Sequence, residues 1–168
     1  MGGRRMNRNR THQGFSLIEL MLSIAILAIL SALASPMLGN NTALQLDVAK
    51  RLLLSDLEYA QILAISYPEE EVVVVIDASG DGWHIASIEN LTIPLEDTVT
   101  GEPLITTFGV GSATAVQNVY ATSNAPFNII AFDQNGGLKD FLQAVEVSLR
   151  SGETTSLVVI SPTTGSIR

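Results

Sequence analysis

A long apolar segment behind a basic head constrains the fold of this chain more than any other feature. From Leu17 to Leu38 the only charged residue is Glu19. A helix of about 20 apolar residues spans a bilayer core of about 30 Å. Arginines before such a segment keep their side in the cytoplasm. No acidic residue precedes the segment, but four arginines do: Arg4, Arg5, Arg8 and Arg10. We therefore expect one membrane crossing, with the following residues outside.

Composition bounds the remaining possibilities. The 168 residues fit one globular domain, and the absence of Cys excludes disulfides, thiolate zinc sites, Fe–S clusters and a Cys nucleophile. From Phe15 onward, five basic residues face 17 acids, a side-chain charge of 5 − 17 = −12. Nucleic-acid binding needs clustered Lys and Arg, so DNA is an unfavourable partner for this body.

Three interpretations of the apolar segment compete. It could be a signal peptide cut after Ala32-Leu33-Ala34, a plain membrane anchor, or a helix that is retained after cleavage between Gly14 and Phe15. Glu19 favours the third. A carboxylate within an apolar membrane helix costs about 2.5–3.5 kcal/mol, and such residues are usually functional. A new amine on Phe15 could neutralise it, within one helix or between two staggered helices.

The stretch Gly14-Phe15-Ser16-Leu17-Ile18-Glu19-Leu20 and the apolar helix after it resemble the type IV pilin and type II secretion pseudopilin family. The resemblance implies that a prepilin peptidase cuts after Gly14 and that Phe15 is then N-methylated. It also implies that Glu19, fifth after the cut, acts in assembly. Pro36 is the twenty-second residue after the cut (36 − 14 = 22), where the family often has proline.

The resemblance also implies partners and a location. The expected partners are the prepilin peptidase, other pilins or pseudopilins contacted through their N-terminal helices, and an inner-membrane assembly platform. The expected location is the bacterial cytoplasmic (inner) membrane, crossed once, with a cytoplasmic N-terminus and a periplasmic or other extracytoplasmic globular domain, within a pseudopilus or pilus. No cofactor is implied.

Four regions follow from these patterns: a cleaved leader (1–14), a transmembrane or filament-core helix (15–38), an amphipathic helix continuing into the head (39–66) and a β-rich domain (67–168). Pro36 and Gly39 predict a kink. From Thr42 to Ser66 apolar residues recur every three or four positions, and Pro68 ends the helix. The expected fold class is α+β, a pilin-like long helix packed on an antiparallel β-rich domain.

The C-terminal region contains several short apolar runs separated by turn residues. Val72–Ile76 and Trp83–Ile88 predict a hairpin. Thr92–Gly111 has few signals and predicts a loop or insertion. Later strands are expected at Leu104–Phe108, Val116–Ala121, Phe127–Phe132, Ala144–Leu149 and Ser156–Ser161.

Motifs near the C-terminus suggest a subtype. The turn Phe132-Asp133-Gln134-Asn135-Gly136 and the end Ser161-Pro162-Thr163-Thr164-Gly165-Ser166-Ile167-Arg168 resemble the GspH/FimT-type minor pseudopilin domain. This resemblance covers about the last 40 residues. It predicts a minor pseudopilin of a secretion pseudopilus or pilus-like filament. The alternative is a pilus or competence minor pilin that binds DNA or another surface ligand.

Candidate chemical groups favour structural roles. Asp77–Gly82 resembles the start of a calcium loop but has Ile88 where the bidentate acid is required, so a hairpin turn is expected and calcium binding stays open. His84 with no Cys cannot form a typical zinc site, and Trp83 is expected in the core. Glu69-Glu70-Glu71 predicts a solvated edge, with a partner-facing acidic patch as the alternative. We expect no catalytic or metal site, and a secreted enzyme lacks any supporting constellation.

Overall fold

The computed structural model describes residues 16–34 and 42–168, and the chain divides into two units between Asn40 and Asn41. The first unit contains one described helix, α1 (Leu17–Ala34). The second unit contains one long helix and eight strands. The predicted cleavage pair Gly14 and Phe15 lies outside the described residues, as do the predicted kink residues Pro36 and Gly39.

Helix α2 (Thr42–Ser66) forms where the apolar period predicts it, and one stripe of its side chains is buried in the core of the second unit. Its buried residues are three leucines and three alanines: Leu46, Ala49, Leu53, Leu57, Ala60 and Ala64. The stripe packs against three strands, Val72–Ile76, Val145–Ser151 and Thr154–Ile160. Alanines at these positions bring the helix backbone close to the strands, and leucines fill the space between them. The helix therefore forms one wall of the core.

The first sheet is antiparallel and is built around a central hairpin. Its strands are β1 (Val72–Ile76), β2 (Gly82–Ser87), β3 (Asn90–Pro94), β4 (Ile105–Thr107) and β6 (Ile129–Ala131). The order is β3–β2–β1–β6, and β4 also pairs with β2. The β1–β2 hairpin is as predicted, with Ile76 opposite Trp83.

The second sheet has the order β5–β7–β8 and is also antiparallel. Its strands are β5 (Tyr120–Ser123), β7 (Val145–Ser151) and β8 (Thr154–Ile160). In β7 burial alternates along the whole strand, so one face meets the core and the other is open, as the period-two pattern predicted. After β8 the chain turns back, and Ile167 pairs with Ile160.

Several strands differ from the sequence predictions. β3 lies partly within the predicted loop 92–111, and its five residues are exposed or half-buried, so the strand has no apolar period to reveal it. β5 begins at Tyr120, whereas the apolar run suggested a strand over 116–121. Val116 and Val119 are buried in a connecting segment instead. Apolar side chains can enter a core from irregular backbone, and the local pattern does not distinguish that from a strand.

A carboxylate on α2 ties the helix to the first sheet. Asp56 Oδ2 accepts hydrogen bonds from Trp83 Nε1 and from Thr106 Oγ1, each at 2.7 Å. Trp83 is fully buried, and its ring meets Phe108 edge to face at 5.4 Å between centroids. Both donors sit inside the core, so each needs an acceptor there. Asp56 therefore fixes the position of α2 across β2 and β4.

A glutamine on α2 joins two turns that are distant in sequence. Gln61 Nε2 donates to the carbonyl oxygens of Gly136 and Gly165. Gly136 and Gly165 both have left-handed backbones, with φ of 82° and 62°. A Cβ on Gly165 would overlap the carbonyl oxygen of Gly136. The two C-terminal motifs noted in the sequence thus meet at one point against α2.

We predict that Asp56→Ala lowers the free energy of unfolding by about 3 kcal/mol, because two buried donors lose their acceptor. Asp56→Asn keeps an acceptor oxygen and should lose about 1 kcal/mol. Urea unfolding of the full chain in detergent, followed by the fluorescence of Trp83, measures both. The matched control is Glu58→Ala on the exposed side of α2, expected within about 0.5 kcal/mol of the parent. Equal losses for Asp56→Ala and Glu58→Ala would contradict the role of Asp56.

We also predict a large difference between two glycine substitutions with the same backbone conformation. Gly165→Ala should cost about 3 kcal/mol or more, since the new methyl group overlaps a backbone oxygen. Gly152 has a similar φ of 58°, but an added Cβ would meet no atom within 4 Å. Gly152→Ala should therefore cost only the left-handed strain, about 1 kcal/mol. Thermal or urea unfolding compares the two, and similar losses would rule out crowding at Gly165.

Candidate assembly site

The N-terminus of α1 is capped by the side chain of Ser16, which the sequence analysis did not identify as a cap. The backbone N–H of Glu19 donates to Ser16 Oγ at 3.2 Å and to the Ser16 carbonyl oxygen at 3.1 Å. Ser16 therefore precedes the helix as its cap, and Glu19 is the third helical residue. Ser-x-x-Glu is the capping-box pattern, and this spacing was the signal that could have identified Ser16.

Glu19 thus has a local role beside its predicted role in assembly. An acid in the first turn is favoured by the partial positive charge at a helix N-terminus. Its side chain is exposed, and its carbonyl oxygen accepts a hydrogen bond from Ser23 Oγ at 2.7 Å. Any test of Glu19 must therefore separate helix capping from charge pairing.

The surface of α1 is apolar on every side. All side chains described from Ser16 to Ser31 are exposed, including Leu17 at 76% and Ile18 at 77%. Between Leu17 and Ala34 the polar residues are Glu19, Ser23 and Ser31. A helix that is hydrophobic all round belongs in a core or a membrane, because water solvates it poorly.

Within residues 16–34 and 42–168, no helix combines the length and the apolar character needed to cross a membrane. The transmembrane prediction for residues 15–38 is therefore not confirmed.

The calcium-like segment Asp77–Gly82 forms the turn of the β1–β2 hairpin. Asp77 N–H donates to the Gly82 carbonyl at 3.0 Å, and Gly80 N–H donates to the Asp77 carbonyl at 2.8 Å. Asp77 Oδ1 lies 3.3 Å from Nδ1 of His84, whose Nε2 lies 2.7 Å from the Leu91 carbonyl. In the described part of the chain, no three His, Cys, Asp or Glu side chains are grouped to hold a metal.

The acidic run Glu69–Glu71 is exposed, and one of its members is paired. Lys139 Nζ lies 2.5 Å from Glu71 Oε1, and this bond raises the pKa of Lys139 above its usual value. Both groups lie beside a cleft of about 280 Å³ that Glu70 and Asp133 also line. Three acids and one base make the cleft acidic, and the choice between a solvated edge and a partner-facing patch stays a prediction.

Comparisons with known proteins supply evidence for both units. The family model described as "Prokaryotic N-terminal methylation motif" matches residues 9–35. No match was found among curated proteins. The fold is similar to a crystal structure of the type IV minor pilin FimU from Pseudomonas aeruginosa, at TM-score 0.51 and 17% identity over 76% of this chain and 90% of that one. A second crystal form of FimU gives TM-score 0.48 at 17% identity over 73% and 89%.

The chain carries a prokaryotic N-terminal methylation motif, and its fold is similar to that of a type IV minor pilin. The methylation motif includes Gly14, Phe15 and Glu19, and the FimU likeness shows the α+β fold of a long helix on antiparallel sheets. The FimU likeness confirms the fold class predicted from the sequence, and the motif match agrees with the N-terminal motif predicted there. The GspH subtype is not confirmed by either.

Proposed function

We propose that this pilin-like protein is a minor pseudopilin, a structural subunit of a type II secretion pseudopilus or of a type IV pilus-like filament. The observation that carries the proposal is the methylation motif over residues 9–35, joined to a pilin-like head. A prepilin peptidase cleaves after Gly14, Phe15 becomes the N-methylated first residue, and residues 15–38 hold the precursor in the cytoplasmic membrane. The head then lies on the outer side of that membrane.

Assembly proceeds through the N-terminal helices. The apolar side chains exposed around α1 lose their contact with water or lipid when helices pack side by side. Glu19 is the only charge on α1, so burying it requires a partner. The α-amine of Phe15 supplies one, either within the helix or from a neighbouring subunit. Pairing between subunits sets the axial register of the filament, and an assembly platform in the membrane adds each subunit.

The body carries 17 acids against five basic residues, and two of the bases are already paired with carboxylates: Arg51 with Asp47 at 2.9 Å and Lys139 with Glu71. This charge distribution favours a structural subunit over a pilin that binds DNA, because counterion release requires clustered free cations.

We predict that the mature protein begins at Phe15 and carries a methyl group on its amine. Intact-mass and N-terminal peptide mass spectrometry of protein purified from its native host measures this directly. Because a larger residue before the cut should obstruct the peptidase, Gly14→Val should retain the leader and serves as the control. A mature protein that starts at Ser35, or that is intact from Met1, would contradict the proposal.

We predict that Glu19→Ala abolishes entry into filaments while membrane insertion persists or improves, since removing the carboxylate saves about 2.5–3.5 kcal/mol in the bilayer. Quantifying the subunit in sheared filaments and in washed membranes measures the two steps. Both fractions should be compared after cleavage at Gly14 has been verified.

The variant Glu19→Gln distinguishes charge pairing with the Phe15 amine from capping of the helix together with Ser16. Glutamine also completes a capping box with Ser16, but it has no charge to pair with an amine. If charge pairing drives assembly, Glu19→Gln fails as Glu19→Ala does. Normal assembly of Glu19→Gln would show that helix capping is sufficient and would rule out the ion pair.

A further inference from the structure

The outer face of the second sheet contains a cleft that plays no part in the proposed filament contacts. Its volume is about 650 Å³, and four of its six lining residues carry a hydroxyl group, one of them on an aromatic ring, beside one guanidinium. The lining residues are Tyr120, Thr122, Ser148, Arg150, Gly152 and Thr155. They come from all three strands and from the β7–β8 turn.

The strand register arranges these side chains in two rows. Arg150 lies opposite Tyr120 on one side and opposite Thr155 on the other. Ser148 lies between Thr122 and Leu157 in the next row. Side chains directly opposite on one face have Cβ atoms about 4.5–5.5 Å apart, so each row presents neighbouring groups. The inward residues between them, such as Leu149, are fully buried and hold the rows in place.

Arg150 is held but its charge is not neutralised. Its Nε donates to the Gly152 carbonyl at 2.9 Å, which anchors the guanidinium at the turn. Among the described residues, Arg51 and Lys139 form ion pairs with carboxylates, whereas Arg150 has no carboxylate within 4 Å. The two terminal nitrogens of a guanidinium form a fork that matches a carboxylate. Although the chain contains 17 acidic residues, none of them lines this cleft, and Arg150 gives it a positive charge.

We propose that this cleft binds a saccharide that carries a carboxylate, such as a uronic acid unit of an acidic polysaccharide. Arg150 binds the carboxylate, and the hydroxyls of Thr122, Ser148 and Thr155 exchange hydrogen bonds with sugar hydroxyls, since each can donate and accept. Tyr120, which is 53% exposed, offers a rigid ring with a polar tip. The proposal does not depend on filament assembly, because every group it uses belongs to the head.

The experiment titrates the isotopically labelled full chain with trigalacturonic acid and follows its amide resonances by NMR. A polyoxyethylene detergent keeps α1 in solution, because a sugar-based detergent would compete for the cleft. Saturable shifts at residues 120, 148, 150 and 155 are the expected result. The neutral trisaccharide of galactose and inorganic phosphate are titrated in parallel, and each should bind at least tenfold more weakly than the acidic sugar.

Variants test which groups carry the binding. Arg150→Gln should weaken binding by about ten- to a hundredfold, the range expected for hydrogen bonds to a charged group. Arg150→Lys keeps the positive charge but lacks the two parallel terminal nitrogens, so its affinity should lie between that of the parent and that of Arg150→Gln. Thr155→Val keeps the shape of its side chain, removes one hydroxyl and should weaken binding about fivefold. Arg51→Gln removes the same charge from the exposed surface of α2 and should leave the affinity for the acidic sugar unchanged.

The outcomes that overturn the proposal are distinct from those that concern the filament. Equal binding of the neutral and acidic sugars would remove the role of the carboxylate. Equal binding of phosphate would reduce the cleft to a general anion site. No saturable shift, or an unchanged affinity in a folded Arg150→Gln, would leave no saccharide site here. Filament entry of Arg150→Gln should match the parent, so a failure of either proposal leaves the other intact.

Discussion

The head depends on the burial of one stripe of α2 against strands of both sheets. Ala49, Leu53, Leu57 and Ala60 have no exposed surface, and strands β1, β7 and β8 lie against the helix. Neither sheet is large enough to bury its own inner face, so each requires the helix as a cover. The mixture of leucines and alanines along this stripe sets the distance between helix and strands, and Trp83 and Ile130 are buried in the same core.

Apolar contact alone would leave the helix free to slide along the strands, and two polar side chains of α2 remove that freedom. Asp56 binds Trp83 and Thr106 of the first sheet, while Gln61 binds the carbonyls of Gly136 and Gly165. Hydrogen bonds are directional, and a buried donor without a partner is costly, so only one placement of α2 satisfies them. The two C-terminal turns are thereby held at fixed positions beside the helix.

The N-terminal unit follows a different physical rule. Its helix has no core of its own, and its described side chains are exposed and almost entirely apolar. Such a surface is stable only where other apolar surfaces meet it. In the proposed assembly, Glu19 is the group that discriminates between arrangements of neighbouring helices, because a buried carboxylate tolerates only a paired position.

The sequence by itself determined the features that depend on local pattern. The spacing of Gly14, Phe15 and Glu19 predicted the N-terminal motif that matches over residues 9–35, and the apolar period located α2 from Thr42 to Ser66. Alternation located β7, and the β1–β2 hairpin followed from two apolar runs and a turn. These features are readable because each repeats within a few residues, the distance over which neighbouring side chains share a face. The same local reasoning overlooked Ser16, although its spacing to Glu19 was visible.

Only the tertiary structure decided how distant segments meet. β3 has no apolar period that the sequence could reveal. Its pairing with β2, rather than its own burial, makes it a strand. Gln61 meets carbonyls that are 75 and 104 residues away, and no local pattern encodes such a pair. The rows around Arg150 likewise arise from the register of three strands. A sequence records the periodicity of single elements, whereas register and polar partners between elements are selected by the packing of the whole core.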